Sequence, residues 1–181
     1  MQIIAIPGSI RAASLNRRLL EEAQRIAPEG ITVTIADIHD IPLYNSDIDP
    51  ADEITAPESV VRLRQHIRAA NAVLISTPEY NHGIPGVLKN ALDWASRPFG
   101  KSALIGKPVA VIGGGGMTGG IRAQVHLRQV LNGSGMLVMS RPEMALRFGE
   151  VFKDGILVDD KVHENLQKVL TSLADWTRKV G

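Results

Sequence analysis

Short β-branched apolar runs alternate along this chain with longer amphipathic stretches, and that alternation leaves few folds open. Strands are expected at about residues 2–6, 31–36, 72–76, 108–112 and 136–139. Between them, helical periodicity covers residues 14–26, 57–70, 85–96 and 120–131, and a last helix is expected over 159–180. In the first helix Leu15, Leu19, Leu20, Ala23 and Ile26 share one face, and Ser14 supplies an N-cap. Strands that are apolar along their whole length belong to a parallel sheet covered on both faces, because neither face can then meet water.

Five strands in 181 residues favour one α/β domain over residues 1–181 with the flavodoxin-like order 2-1-3-4-5, rather than a six-stranded dinucleotide fold. In such a sheet the ligand crevice lies beyond the carboxyl ends of the strands, where the strand order reverses between the first and third. The loops after strands one, three and four are therefore the candidate site. The absence of cysteine excludes disulfides, thiolate nucleophiles and Cys-ligated clusters, so redox chemistry would need an imported cofactor. A net charge of +1 gives no footprint for nucleic acid or an acidic membrane. No apolar run approaches the roughly 18 residues that span a bilayer, and the opening residues do not read as a leader, so a cytoplasmic protein is expected. Residues 37–58 form an acidic, Pro-containing stretch without periodicity, open to reading as a flap, an oligomer contact or a solvated connector.

The first loop, Pro7-Gly8-Ser9-Ile10-Arg11-Ala12-Ala13-Ser14-Leu15-Asn16, runs from a strand into a helix and is dense in donors. A helix N-terminus carries unpaired N–H groups and roughly half a positive charge, which favours an anion. Ser9, Ser14 and Asn16 can add hydrogen bonds, and Arg11 a charge-assisted one. Neither a Walker A ending nor a Gly-x-Gly-x-x-Gly occurs there, so a monophosphate fits better than a triphosphate or a dinucleotide pyrophosphate. The second loop, Thr77-Pro78-Glu79-Tyr80-Asn81-His82-Gly83-Ile84-Pro85-Gly86, is stiffened by prolines and suits the edge of a flat heterocycle, with Tyr80 offering an apolar face and Asn81 an amide. His82 has no second histidine at ligand spacing, and reads as a loop residue before a proton donor or metal ligand. The third loop, residues 113–120, contains Gly114-x-Gly116-x-x-Gly119, a literal match to the dinucleotide fingerprint. It sits at the fourth strand in a run where such matches arise easily, and a backbone without side chains that lets a ring approach is the simpler account.

These residues carry a resemblance. Gly8-Ser9-Ile10-Arg11-Ala12-Ala13-Ser14-Leu15-Asn16, Pro78-Glu79-Tyr80-Asn81, the helix Pro85-Gly86-Val87-Leu88-Lys89-Asn90-Ala91-Leu92-Asp93-Trp94 and Gly119-Gly120-Ile121-Arg122-Ala123-Gln124 together resemble the NADPH-dependent FMN reductase family, which includes chromate, quinone and azo-dye reductases. The resemblance implies non-covalent FMN, NADPH or NADH as co-substrate, and a homodimer or homotetramer. Ser9, Arg11, Ser14, Leu15 and Asn16 would then border the phosphate, and Pro78, Glu79, Tyr80, Asn81, His82, Gly113, Gly114 and Gly115 the isoalloxazine. It implies no catalytic side chain and no metal ligand, since the flavin carries the chemistry. Acceptors would be quinones, azo compounds, free flavin or metal oxyanions such as chromate. His82 and Val125 stand where some relatives have an aromatic residue. An FMN electron carrier without NAD(P)H oxidation and a dinucleotide enzyme using the third loop are the rival readings. A response-regulator-like domain is disfavoured, because the first strand does not end in an acidic pocket.

Overall fold

The computed structural model describes residues 1–49 and 56–181. Its centre is a parallel sheet in the order β2-β1-β3-β4-β5, built from β1 (Gln2–Pro7), β2 (Thr32–Ile35), β3 (Ala72–Thr77), β4 (Pro108–Gly115) and β5 (Leu137–Val138). The helices are α1 (Leu15–Arg25), α2 (Glu58–Ala69), α3 (Gly86–Ala95) and α4 (Ile121–Gly133), with two more near the C-terminus.

Successive strand residues point to opposite faces, so the apolar runs divide into two cores. Ile3, Ala5, Leu74, Ala110 and Ile112 pack against Leu19, Leu20 and Ala23 of α1, and against Leu166, Val169, Leu170 and Leu173 of the C-terminal helix. Ile4, Ile6, Val73, Ile75, Val109 and Val111 meet Leu63 and Ile67 of α2, Leu88 and Leu92 of α3, and Leu127 and Leu131 of α4. The register Ile6↔Ile75 and Ile75↔Val111 brings the carboxyl ends of β1, β3 and β4 to one level. The three candidate loops therefore leave the sheet side by side.

Two features depart from the sequence expectation. The strand expected over 136–139 is short, and the place beside β4 is shared with a further parallel strand, β6 (Met144–Arg147), which pairs with the far end of β4 through Ile112↔Met144 and Gly115↔Arg147. Pro142, in the segment between them, has no N–H for the ladder, so one continuous strand cannot form there. After it come α5 (Phe148–Val151) and an antiparallel hairpin of β7 (Phe152–Lys153) and β8 (Ile156–Leu157), before α6 (Asp160–Val180).

The acidic stretch is fastened where it is described. The Pro42 carbonyl accepts from Asn90 Nδ2 and Trp94 Nε1, both at 2.8 Å, and Tyr44 N–H donates to Asn90 Oδ1 at 2.8 Å. The buried Arg64 guanidinium donates to Asp49 at 2.9 Å and to the Trp94 carbonyl at 3.0 Å. Residues 37–49 are thus a strap laid over α2 and α3, while 50–55, the middle of the same stretch, lie outside the described residues.

Candidate functional site

The first loop is pinned at its start. Gly8 N–H donates to Ser76 O at 2.7 Å, and a Cβ on Gly8 would stand 2.9 Å from Thr77 Cα, so only glycine lets β1 turn this close to β3. Ser9 and Ser14 are buried, and Arg11 is exposed. Ser14 caps α1 as expected, its Oγ accepting from Arg17 N–H at 3.2 Å. Ser9 Oγ accepts from Arg11 N–H at 3.3 Å. The N–H groups of Ser9, Ile10, Ala12 and Ala13 have no acceptor among the described residues, and the Arg11 guanidinium has no hydrogen bond or ion pair there. A row of unclaimed donors ahead of a helix N-terminus, beside one unpaired cation, is what a phosphate monoester needs. The loop fits the phosphate of FMN.

Asn16 departs from the expectation. Its amide is 4% exposed and is spent inside the protein: Oδ1 accepts from Ser76 Oγ at 2.9 Å and from Gly114 N–H at 3.1 Å, while Nδ2 donates to Gly114 O at 3.2 Å. One side chain of α1 therefore ties the end of β3 to the end of β4. Ser76, fully buried, was not singled out from the sequence, because a serine inside an apolar strand gives no sign of its partner. Leu15, half-buried, packs against the core beneath the loop.

In the second loop Pro78 is buried and its carbonyl accepts from Thr77 Oγ1 at 2.9 Å. Tyr80 and Gly83 exchange both backbone hydrogen bonds, at 3.1 and 2.9 Å, across a two-residue turn whose central residues are left-handed, Asn81 at φ 49° and His82 at φ 65°. That is the geometry of a type I′ turn, which asparagine tolerates and histidine adopts less readily. Tyr80, Asn81 and His82 are exposed at its tip, and the His126 ring of α4 backs the turn at Gly83. Glu79 points the other way. Its Oε2 accepts from Arg122 N–H at 3.1 Å and Ala123 N–H at 3.4 Å, capping α4, whose own N-cap residue Gly120 has no side chain to do so. The carboxylate places the second loop against the helix that follows the third.

The glycine run divides in two. A Cβ on Gly113, at φ 151°, would lie 2.2 Å from Thr77 O, and one on Gly114 would lie 2.4 Å from the Phe148 ring. These two are glycine because the protein's own chain passes there, and the Gly114 amide and carbonyl are both taken by Asn16. A Cβ on Gly116 would meet nothing within 4 Å among the described residues, and one on Gly115 only Gly120 N at 4.0 Å. Free approach to the backbone is confined to that end of the loop. A Cβ on Gly119, the last glycine of the apparent fingerprint, would stand 3.1 Å from the Ala145 backbone at a φ of 61°, so packing accounts for it also.

A doubly wound parallel sheet in the order β2-β1-β3-β4-β5, with a donor-lined first loop and two further loops at the same strand ends, defines a flavodoxin-like fold whose ligand crevice lies at those ends. The sequence profile of the family described as NADPH-dependent FMN reductase matches residues 1–150. An NAD(P)H-dependent FMN reductase of Pseudomonas aeruginosa is 42% identical over 99% of this chain and 97% of its own length. A 2-hydroxy-1,4-benzoquinone reductase of a Burkholderia species is 39% identical over 98% and 97%. Among solved structures, the flavoenzyme NAD(P)H:(acceptor) oxidoreductase FerB of Paracoccus denitrificans superposes with a TM-score of 0.88 at 38% identity, covering 99% of this chain and 98% of its own. The chain belongs to the NADPH-dependent FMN reductase family. It is an oxidoreductase with FMN as cofactor and NAD(P)H as co-substrate. This favours a reductase over an electron carrier. Among the described residues no helix is long and apolar enough to cross a membrane.

Proposed function

We propose that this protein is a cytoplasmic quinone reductase that holds the FMN phosphate in its first loop and the isoalloxazine between its second and third. The observation that carries the reading is the set of N–H groups at Ser9, Ile10, Ala12 and Ala13, which with the Arg11 guanidinium have no partner among the described residues, in a chain whose relatives are FMN and quinone reductases. Ser9 and Ser14 keep hydroxyl protons free to donate to phosphate. Asn16 and Glu79 hold the three loops in register and need not touch the cofactor. The tip Tyr80, Asn81 and His82, with Gly115 and Gly116, borders the ring. FMN, when bound, supplies a carrier that takes hydride from NAD(P)H and passes it to an acceptor, so the protein's part is to bind and orient. No side chain is assigned as an obligate acid or base.

The rim is open and partly apolar, with Tyr80 48% and Met117 93% exposed. It suits flat aromatic acceptors, and its openness also suits azo compounds, free flavin and oxyanions such as chromate. Val125, 62% exposed on α4, adds an apolar position that supports assembly into a homodimer or homotetramer.

Purified protein should release FMN and, mixed anaerobically with NADPH, bleach within the mixing time. A yellow protein that stays yellow would be a carrier, and one with no affinity for FMN would overturn the assignment. Arg11→Ala removes one charge-assisted bond to phosphate and should weaken FMN binding about ten- to a hundredfold. Because Arg11 is exposed and its guanidinium has no partner among the described residues, the melting temperature of the apoprotein should stay within about 2 °C. Equal FMN affinity in the variant would place the phosphate elsewhere.

A further inference from the structure

We propose that Met117, at the tip of the third loop, is a reversible oxidation site through which hydrogen peroxide lowers the protein's affinity for flat apolar acceptors. The inference rests on the FMN-reductase reading and names a regulation of that same site. With no cysteine in the chain, all of its sulfur is in five methionines. Met136, Met139 and Met144 are each 4% exposed inside the two cores, and Met1 packs against one of them. Met117 is 93% exposed. Thioether oxidation follows access to the sulfur, so an oxidant arriving from solvent meets this one first.

The exposure is built into the loop. Gly119 N–H donates to Gly116 O at 3.0 Å and Ile121 N–H to Thr118 O at 3.3 Å, which closes a turn with Met117 and Thr118 at its tip and feeds it into α4. The Glu79 carboxylate, on the N–H groups of Arg122 and Ala123, anchors the helix that follows. A fixed turn thus presents a flexible apolar side chain at the open rim, which Tyr80 shares. A single exposed methionine on a distant surface would need no explanation. This one stands at the carboxyl ends of the strands, next to the end of the loop where a ring has free approach.

The chemistry turns on polarity. As a thioether, Met117 offers an aromatic acceptor a polarisable apolar contact. In the oxidation its Sδ lone pair attacks one oxygen of hydrogen peroxide, the S–O bond forms as the O–O bond breaks, and the other oxygen leaves with both protons as water. Sulfur gives up one electron pair and the peroxide takes it. The sulfoxide carries a strong dipole that prefers water to a ring, so the rim loses an apolar contact while the phosphate loop is unchanged. A hydrophilic acceptor makes no such contact and is indifferent to the change. Methionine sulfoxide reductases reverse it.

The test treats FMN-loaded protein with graded hydrogen peroxide, reads the digested chain by mass spectrometry, and assays the same samples with menadione and with ferricyanide as acceptors. The peptide bearing Met117 should gain one oxygen atom before those bearing Met136, Met139 and Met144. Once Met117 is fully converted, the KM for menadione should rise about two- to tenfold, the span of a sulfur–aromatic contact, while FMN affinity and the ferricyanide rate stay in place. Methionine sulfoxide reductases A and B should return the menadione KM to its starting value. Met117→Leu should show the same menadione KM before and after peroxide, and Met117→Gln, polar without oxidation, should start with the raised value. A Met117 no more reactive than the buried methionines, a fully oxidised Met117 with an unmoved menadione KM, or a peroxide response retained in Met117→Leu overturns this inference alone. Failure of the wild-type protein to bind FMN overturns the flavin reading and this inference together.

Discussion

Asn16→Ala is expected to cost about 2–4 kcal/mol of stability and to loosen FMN by more than the loss of any single phosphate contact. The amide it removes satisfies three buried groups at once: the Ser76 hydroxyl and both backbone groups of Gly114. Alanine leaves all three without partners at a site closed to solvent, and each orphan carries its full desolvation cost. At this chain length the loss should lower the melting temperature of the apoprotein by about 5–15 °C. The flavin effect follows from geometry, since the first and third loops are held at a fixed separation by this side chain. Asn16→Asp separates the two roles: it keeps the acceptor for Ser76 but faces the Gly114 carbonyl with a carboxylate, so it should be at least as damaging. Normal thermal stability in Asn16→Ala would show that the amide is not what couples β3 to β4. Normal stability with lost FMN would return Asn16 to the phosphate.

That residue also marks where sequence reasoning stops. The sheet was legible because whole-length apolar runs admit little besides a parallel sheet covered on both faces, and a chain with five of them has a known switch point. The β6 strand was not. Met144–Arg147 is short, alternates in burial and follows a proline, so its pattern matches no template, and only the exposed edge at the end of β4 calls for it. Within the site, donor-rich composition showed that the first loop suits an anion, and the unclaimed N–H groups of the fold agree with that. Composition could not say which donors face outward. Asn16 and Glu79 have the chemistry of ligands, yet both are occupied by backbone groups 98 and 43 residues away in sequence.

The glycine run gives the largest expected contrast between neighbouring positions. Gly113→Ala should destabilise the protein by about 3–5 kcal/mol or prevent its folding, because the new Cβ would be driven to 2.2 Å from Thr77 O at a left-handed φ of 151°. Neither partner can yield. Thr77 and Gly113 are paired in the central ladder, and moving them would break the register between β3 and β4. Gly116→Ala, three residues on, meets nothing within 4 Å and needs no positive φ, so its stability should change by less than about 1 kcal/mol and can rise through a less flexible unfolded chain. If the ring lies over this end of the loop, the same methyl group should weaken FMN or slow the NADPH half-reaction while leaving the melting temperature in place. Thermal melts with FMN titrations on the two variants therefore read packing at one position and ligand approach at the other. A tolerated Gly113→Ala would refute the packing argument. An unaltered FMN affinity and reduction rate in Gly116→Ala would move the ring away from the third loop and toward Tyr80 and Asn81 alone.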